Sequence, residues 1–211
     1  AAKPDGTTLP DMSGNGNDGL LKTRSSGGPG FGFGTGAVGQ ALVLTSAGGG
    51  YVDLPLSVFA GAGDITIATW VKVATQHDYQ KVFDIGINAG LTFPNSTGMT
   101  YMYLAPYRPD TEKMTFGIAK NGYTDEQAVA SATIGSSDGW KHLAIVLGSS
   151  GAVLYVDGLS VASSASVTLR PKDLGTINYA WIGRSQFTDD SPFDGAFDEF
   201  RIYRRALSAS E

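Results

Sequence analysis

Trp140-Lys-His-Leu-Ala-Ile-Val-Leu147 runs into Gly148-Ser-Ser-Gly151, then Ala152-Val-Leu-Tyr-Val156, Asp157-Gly158 and Leu159-Ser-Val161. Leu143, Ile145 and Leu147 alternate with other residues at period 2, as do Ala152, Leu154 and Val156, which is the pattern of strands with one face on a core. The Asp157-Gly158 pair between apolar runs is a strong hairpin signal, because a two-residue turn of this kind needs two positive φ angles. Gly148 to Gly151 reads as a second hairpin turn. Three antiparallel strands are therefore predicted from one stretch.

The same rhythm extends outward in both directions. Short alternating runs occupy Ala41–Leu44, Tyr51–Leu54, Ile65–Val73, Lys81–Ile87, Met99–Leu104, Met114–Ala119, Ala128–Ile134, Ala180–Arg184 and Gly195–Arg204. With the three above they make about a dozen strands. Gly-rich or Asp/Pro-rich separators such as Thr45–Gly50 and Tyr107–Lys113 divide them. Helical periodicity nowhere persists beyond about one turn, and 29 Gly with 9 Pro in 211 residues suit tight turns rather than long helices. A chain of this size exposes roughly 9,300 Å² folded against roughly 32,000 Å² unfolded, enough burial for a real core. The economical packing for so many amphipathic strands is a two-sheet antiparallel β-sandwich, read as one all-β domain over residues 1–211.

Composition narrows the function classes. A net charge of −5 and no Lys/Arg run leave no footprint for a phosphate backbone, so nucleic acid is not the expected partner. No stretch is long and apolar enough to span a bilayer as a helix. With no cysteine, disulfides, zinc thiolates and cysteine nucleophiles are excluded together.

Catalytic motifs fail on spacing or context. Gly34-Thr-Gly36-Ala-Val-Gly39 matches G-x-G-x-x-G but leads into a strand rather than a helix, so a glycine-rich hairpin is the better reading. Two carboxylates at i, i+2 occur only at Asp110 and Glu112, in a turn where solvated charge is ordinary. His77 and His142 lack metal-ligand spacing, and Ser149-Ser150 lacks the nucleophile elbow. Asp11-Met-Ser13-Gly-Asn15-Gly16-Asn17-Asp18-Gly19 places oxygen-bearing side chains at alternate positions, which is calcium-loop chemistry. Lys22 stands where an EF-hand needs its glutamate, leaving a half-site or an Asx-rich turn.

Aromatic residues remain. Tyr101 and Tyr103 share one face of their strand while Met102 and Leu104 share the other. If the Met/Leu face is core, the tyrosines look outward as a platform for sugar rings; the opposite assignment turns them toward the second sheet. Trp70, Trp140 and Trp181 read first as core. Arg184, Ser185 and Gln186 open the loop ending at Pro192 and could line a groove.

Taken together, Asp11–Gly19 (DMSGNGNDG), Val38–Leu44 (VGQALVL), Tyr51–Pro55 (YVDLP), Asp64–Lys72 (DITIATWVK), Trp140–Leu147 (WKHLAIVL), Leu154–Gly158 (LYVDG), Ile182–Ser185 (IGRS) and Gly195–Ser208 (GAFDEFRIYRRALS) resemble the laminin-G-like, concanavalin A-like domain of bacterial extracellular proteins. The resemblance implies a jelly roll of two curved antiparallel sheets. It also implies an opening strand, absent or altered before Pro10 here, whose loss would expose backbone edge around Phe197–Tyr203 and suggests excision from a multidomain protein.

The family often carries a structural calcium joining the early loop to the late Asp-Glu strand, which maps onto Asp11, Asn15, Asn17 and Asp198. Jelly-roll relatives that cleave polysaccharides carry an E-x-D-x-E pattern that the four glutamates here, Glu112, Glu126, Glu199 and Glu211, do not form. The resemblance therefore implies a non-catalytic, lectin-like accessory domain of a secreted bacterial glycoside hydrolase, monomeric and extracellular, beside a catalytic domain of the parent chain. It would bind a plant or microbial polysaccharide, with Trp70, Tyr101 and Tyr103 stacking on sugar rings and Asp84, Arg184 and Gln186 bonding hydroxyls. A protein-interaction, adhesion or spacer domain would instead expose an apolar patch. A hydrolase or lyase would show carboxylates converging in a cleft.

Overall fold

The structure, a computed structural model, describes residues 7–24, 29–87 and 99–211. Numbered along the chain, one sheet runs in the order β1 (Thr8–Leu9), β2 (Gly19–Thr23), β5 (Gly50–Asp53), β14 (Tyr179–Ile182), β7 (Phe83–Ile87), β8 (Thr100–Arg108), β9 (Lys113–Ala119), β10 (Gln127–Ala132). The other runs β13 (Leu159–Ser164), β12 (Gly151–Val156), β11 (Trp140–Gly148), β6 (Ile65–Val73), β15 (Gly195–Tyr203), β4 (Gln40–Leu44), β3 (Phe31–Thr35). The strand pairs are antiparallel, and the result is the expected jelly-roll-like sandwich.

Alternation decides which side of each strand faces in. Phe83 and Ile85, Met102 and Leu104, and Phe116 and Ile118 from one sheet meet Ile65, Ile67 and Val71, and Leu143, Ile145 and Leu147, from the other in a continuous core. The intervening residues Tyr51, Asp84, Tyr101, Tyr103, Tyr179 and Trp181 thereby fall on the outer face of the eight-stranded sheet.

The Asp157-Gly158 turn forms as read, with φ of 51° and 78°. The Asp157 carboxylate accepts from His142 N (2.9 Å) and Lys141 Nζ (2.9 Å), tying the turn to β11. The glycine motif is the β3–β4 hairpin: Gly36 N donates to Gly39 O (3.0 Å), and a Cβ at position 36 would strike the Asp198 carboxylate. The strands β1 to β3 lie before the first run read from the sequence, because Phe31-Gly-Phe-Gly-Thr35 is too glycine-rich to carry a strand signal. β8 continues past the expected Leu104 to Arg108, with its register broken at Pro106, which has no N–H to donate.

The free edge expected around Phe197–Tyr203 is half filled. β15 pairs with β6 on both sides of a bulge between Asp198 and Arg201, and with β4 from Gly195 to Phe197. Beyond Phe197 the described residues supply no partner on the β4 side. Most of the segment preceding Pro10, where the opening strand was in question, lies outside the described residues.

Candidate functional site

Neighbouring strands place Lys22 beside Tyr51, Asp53 beside Trp181, Trp181 beside Asp84 and Asp84 beside Tyr103 across the outer face of the eight-stranded sheet. The loop from Gly183 to Asp194 folds over this row. Gln186 N donates to Asp84 Oδ2 (2.9 Å), Ser185 Oγ donates to Asp190 Oδ2 (2.6 Å), and Lys81 Nζ pairs with Asp190 (2.9 Å). Asp84, 1% exposed, also accepts from Tyr179 Oη at 2.8 Å. Burial pushes its carboxyl up to about 7 against the opposing pull of Lys81, the Gln186 amide and the Tyr179 hydroxyl.

The loop carries Arg184 onto an aromatic floor. Its guanidinium lies 4.0 Å from the Trp181 ring centre and 4.5 Å from that of Tyr51, within cation–π range. Those two rings meet edge to face at 6.0 Å, and Tyr179 packs on Trp181 at 4.4 Å. Lys22 pairs with Asp53 at the rim. The Gln186 side chain is 3% exposed, and neither its amide nitrogen nor its amide oxygen has a hydrogen-bond partner; Arg184 Nε is likewise unpartnered. Unmet buried amide groups cost about 1–3 kcal/mol, so this loop carries an incomplete hydrogen-bond set.

Tyr101 and Tyr103 do look away from the Met/Leu core, the first of the two alternatives, with ring centres 5.7 Å apart. They form no open platform: they are 1% and 5% exposed. Phe187 meets the Tyr101 edge at 6.0 Å, and Lys81 stands 4.7 Å over Tyr103. Their hydroxyls donate to Glu126 (2.9 and 3.2 Å), which also pairs with Arg108 (2.5 Å). Burial and the Glu126 carboxylate push both phenols far above their usual range, so they stay neutral.

A family model described as the concanavalin A-like lectin/glucanases superfamily matches residues 46–211. The chain belongs to this superfamily. Domain 4 of AbnA, a GH43 extracellular arabinanase from Geobacillus stearothermophilus solved in complex with arabinotriose, is similar at 22% identity and a TM-score of 0.71, over 96% of this chain and 89% of that one. The CBM40 of a Ruminococcus gnavus IT-sialidase, bound to α2,3 sialyllactose, is similar at 14% identity and a TM-score of 0.56, over 73% and 82%. An α-L-arabinofuranosidase of Bifidobacterium longum subsp. longum is 25% identical over 170 residues, 79% of this chain. The chain spans 16% of that relative's length.

The superfamily sandwich separates Trp70 from the other expected binding residues. It lies on the outer face of the seven-stranded sheet, edge to face with His142 at 5.3 Å, in a groove of about 480 Å³ that Tyr155, Arg201 and Tyr203 also line. Burial holds the His142 imidazole below its usual pKa. Trp70 therefore cannot act at one site with Asp84, Arg184 and Gln186.

The residues mapped for calcium are held by hydrogen bonds within the early loop and to the β3–β4 turn. Asp11 accepts from Ser13 N (2.9 Å) and Asn17 N (3.0 Å), and Asn15 bonds Ser13. Asp198 accepts from Val38 N (2.7 Å) and Glu199 N (2.9 Å), so it closes the β3–β4 turn. Among the described residues no three His, Cys, Asp or Glu side chains gather around a metal-sized space.

The structure also joins groups that sequence spacing could not join. Asp84 and Asp190 both approach Ser185 Oγ, at 3.5 and 2.6 Å, although over a hundred positions part them. Both are engaged by other partners, and they anchor the loop. Trp181 and Tyr51, first read as core and as strand, are the aromatic residues of the site. The Tyr179-Ala-Trp-Ile182 alternation carried that signal: Ala180 and Ile182 face the core, which turns Tyr179 and Trp181 outward.

Proposed function

We propose that this chain is a non-catalytic carbohydrate-binding domain, an accessory part of a larger secreted glycoside hydrolase, and that its ligand contacts the outer face of the eight-stranded sheet at Arg184 and Gln186. The carrying observation is the Arg184 guanidinium over Trp181 and Tyr51, with the unpartnered Gln186 amide two residues further along the same loop. A sugar hydroxyl donates and accepts at once, which matches an amide that lacks both kinds of partner. Superfamily membership and the arabinotriose- and sialyllactose-bound structural relatives support the reading. The partial span of the arabinofuranosidase supports an accessory role.

Affinity electrophoresis over plant and microbial polysaccharides is the test, with dissociation constants expected between about 1 mM and 1 μM. Gln186→Met is expected to weaken retention while holding or raising the melting temperature, since it removes an unmet buried polar group. No retention on any polysaccharide by folded protein would overturn the proposal, as would reducing-end release that Asp84→Asn abolishes. The second reading, an interaction or spacer domain, is favoured by the Trp70 groove with Val38 exposed at its edge. Loss of polysaccharide retention on Trp70→Ala, with Gln186→Met unchanged, would move the sugar site to that face.

A further inference from the structure

The arginines outside this site have partners. Arg108 pairs with Asp110 and Glu126, Arg170 lies 3.6 Å from Asp64, Arg201 pairs with Glu199 and Arg205 with Glu211. Arg204 donates to the carbonyls of Ser57 and Ala60. Arg24 and Arg184 differ: neither forms an ion pair with a carboxylate among the described residues, and Arg24 has only the Thr188 carbonyl at 3.5 Å. The nearby carboxylates are taken, Asp53 by Lys22 and Asp190 by Lys81 and Ser185. Arg24 follows β2 and reaches the Gly183–Asp194 loop from one side, while Arg184 lies on Trp181 and Tyr51 within it. Burial, and then the charge of Arg184, disfavour the charged form of Arg24. With Asp53 and Asp190 paired to lysines, neither guanidinium has a carboxylate of its own among the described residues, on a protein of net charge −5.

Resting on the carbohydrate-binding reading of this same face, we infer that the ligand is an acidic saccharide, whose carboxylate sits between Arg24 and Arg184 while a neighbouring hydroxyl meets the Gln186 amide. The aromatic pair then serves to hold the Arg184 guanidinium in place before the ligand arrives. Planar guanidinium forks suit carboxylates bidentately, and a stacked one loses less freedom on binding. Neutral arabinan or xylan would leave both charges unanswered.

The test compares each acidic glycan with a neutral twin: polygalacturonate with its carboxyl-reduced form, glucuronoxylan with unsubstituted xylan, and sialyllactose with lactose. Binding is measured by titration calorimetry at low and high salt, with melting temperatures confirming that every variant is folded. At least one acidic member is expected to bind on the order of tenfold or more tighter than its twin, since hydrogen bonds to charged groups are among the strong ones. That preference is expected to shrink at high salt and in Arg184→Gln or Arg24→Gln. Equal binding of acidic and neutral twins, or a preference that survives both substitutions, would overturn the inference while leaving the carbohydrate-binding reading standing. Absence of binding to every glycan would overturn both.

Discussion

Asp84→Asn is the substitution whose effect the structure specifies most fully. The Asp84 carboxyl is buried, and burial raises it from 3.8 to about 7. A raised carboxyl means that the folded state keeps a proton that the unfolded chain has already lost. Its stabilising share is therefore complete below about 3.8, declines as pH rises and is gone once pH passes about 7. At 1.36 kcal/mol per unit, the wild type should lose about 4 kcal/mol between pH 4 and pH 8 relative to a variant that cannot titrate there. For a chain of this size that is on the order of 10 °C in melting temperature. Urea denaturation of both proteins at half-unit pH steps gives the difference directly. Other carboxyls cancel in it, including the depressed Asp11, Asp110 and Asp157. The stability of wild type minus Asp84→Asn is expected to fall monotonically with pH. A flat difference, or one that rises, would mean that Lys81 and the Tyr179 and Gln186 donors outweigh burial and that Asp84 is a paired anion, refuting the reasoning.

Three further outcomes are expected. Glu126→Ala takes the acceptor from Tyr101 and one of two carboxylates from Arg108, which keeps Asp110, and should cost about 1–3 kcal/mol; a loss well under about 1 kcal/mol by urea denaturation would show the cluster to be surface-like. Gly158→Ala puts a Cβ at φ 78° in the β12–β13 turn and should cost about 1–2 kcal/mol, visible as a drop in melting temperature, whereas an unchanged value would contradict the turn geometry. Calcium bound at a hundred times its dissociation constant would add about 2.7 kcal/mol. A structural calcium at Asp11, Asn15, Asn17 and Asp198 is accordingly expected to raise the melting temperature of chelator-treated protein by several degrees when calcium is added, and an unchanged value would count against it.

The strands were legible wherever alternation was strong. Ile65–Val73 was read with the observed limits, and the Asp157-Gly158 turn formed as expected, because period 2 and turn chemistry act between near neighbours. The glycine-rich β3 escaped because a residue without a side chain leaves no pattern. Of the binding residues expected from the sequence, Asp84 accepts the backbone N–H of Gln186, and Arg184 lies on Trp181 from the same Gly183–Asp194 loop. Trp70 lies on the opposite side of the sandwich.

What the sequence determined alone was the all-β sandwich and the two faces of each strand, since both follow from local apolar periodicity. Exposure was decided elsewhere. Whether outward-facing Tyr101 and Tyr103 meet water or a covering loop depends on where residues some eighty positions later are pinned, by Asp84, Lys81 and Asp190. The same long-range register sets Trp181 and Tyr51 under Arg184 and leaves the Gln186 amide unpartnered. Strand order and loop closure join segments that have no relation in sequence, so charge balance and burial at the site exist only once both sheets are packed.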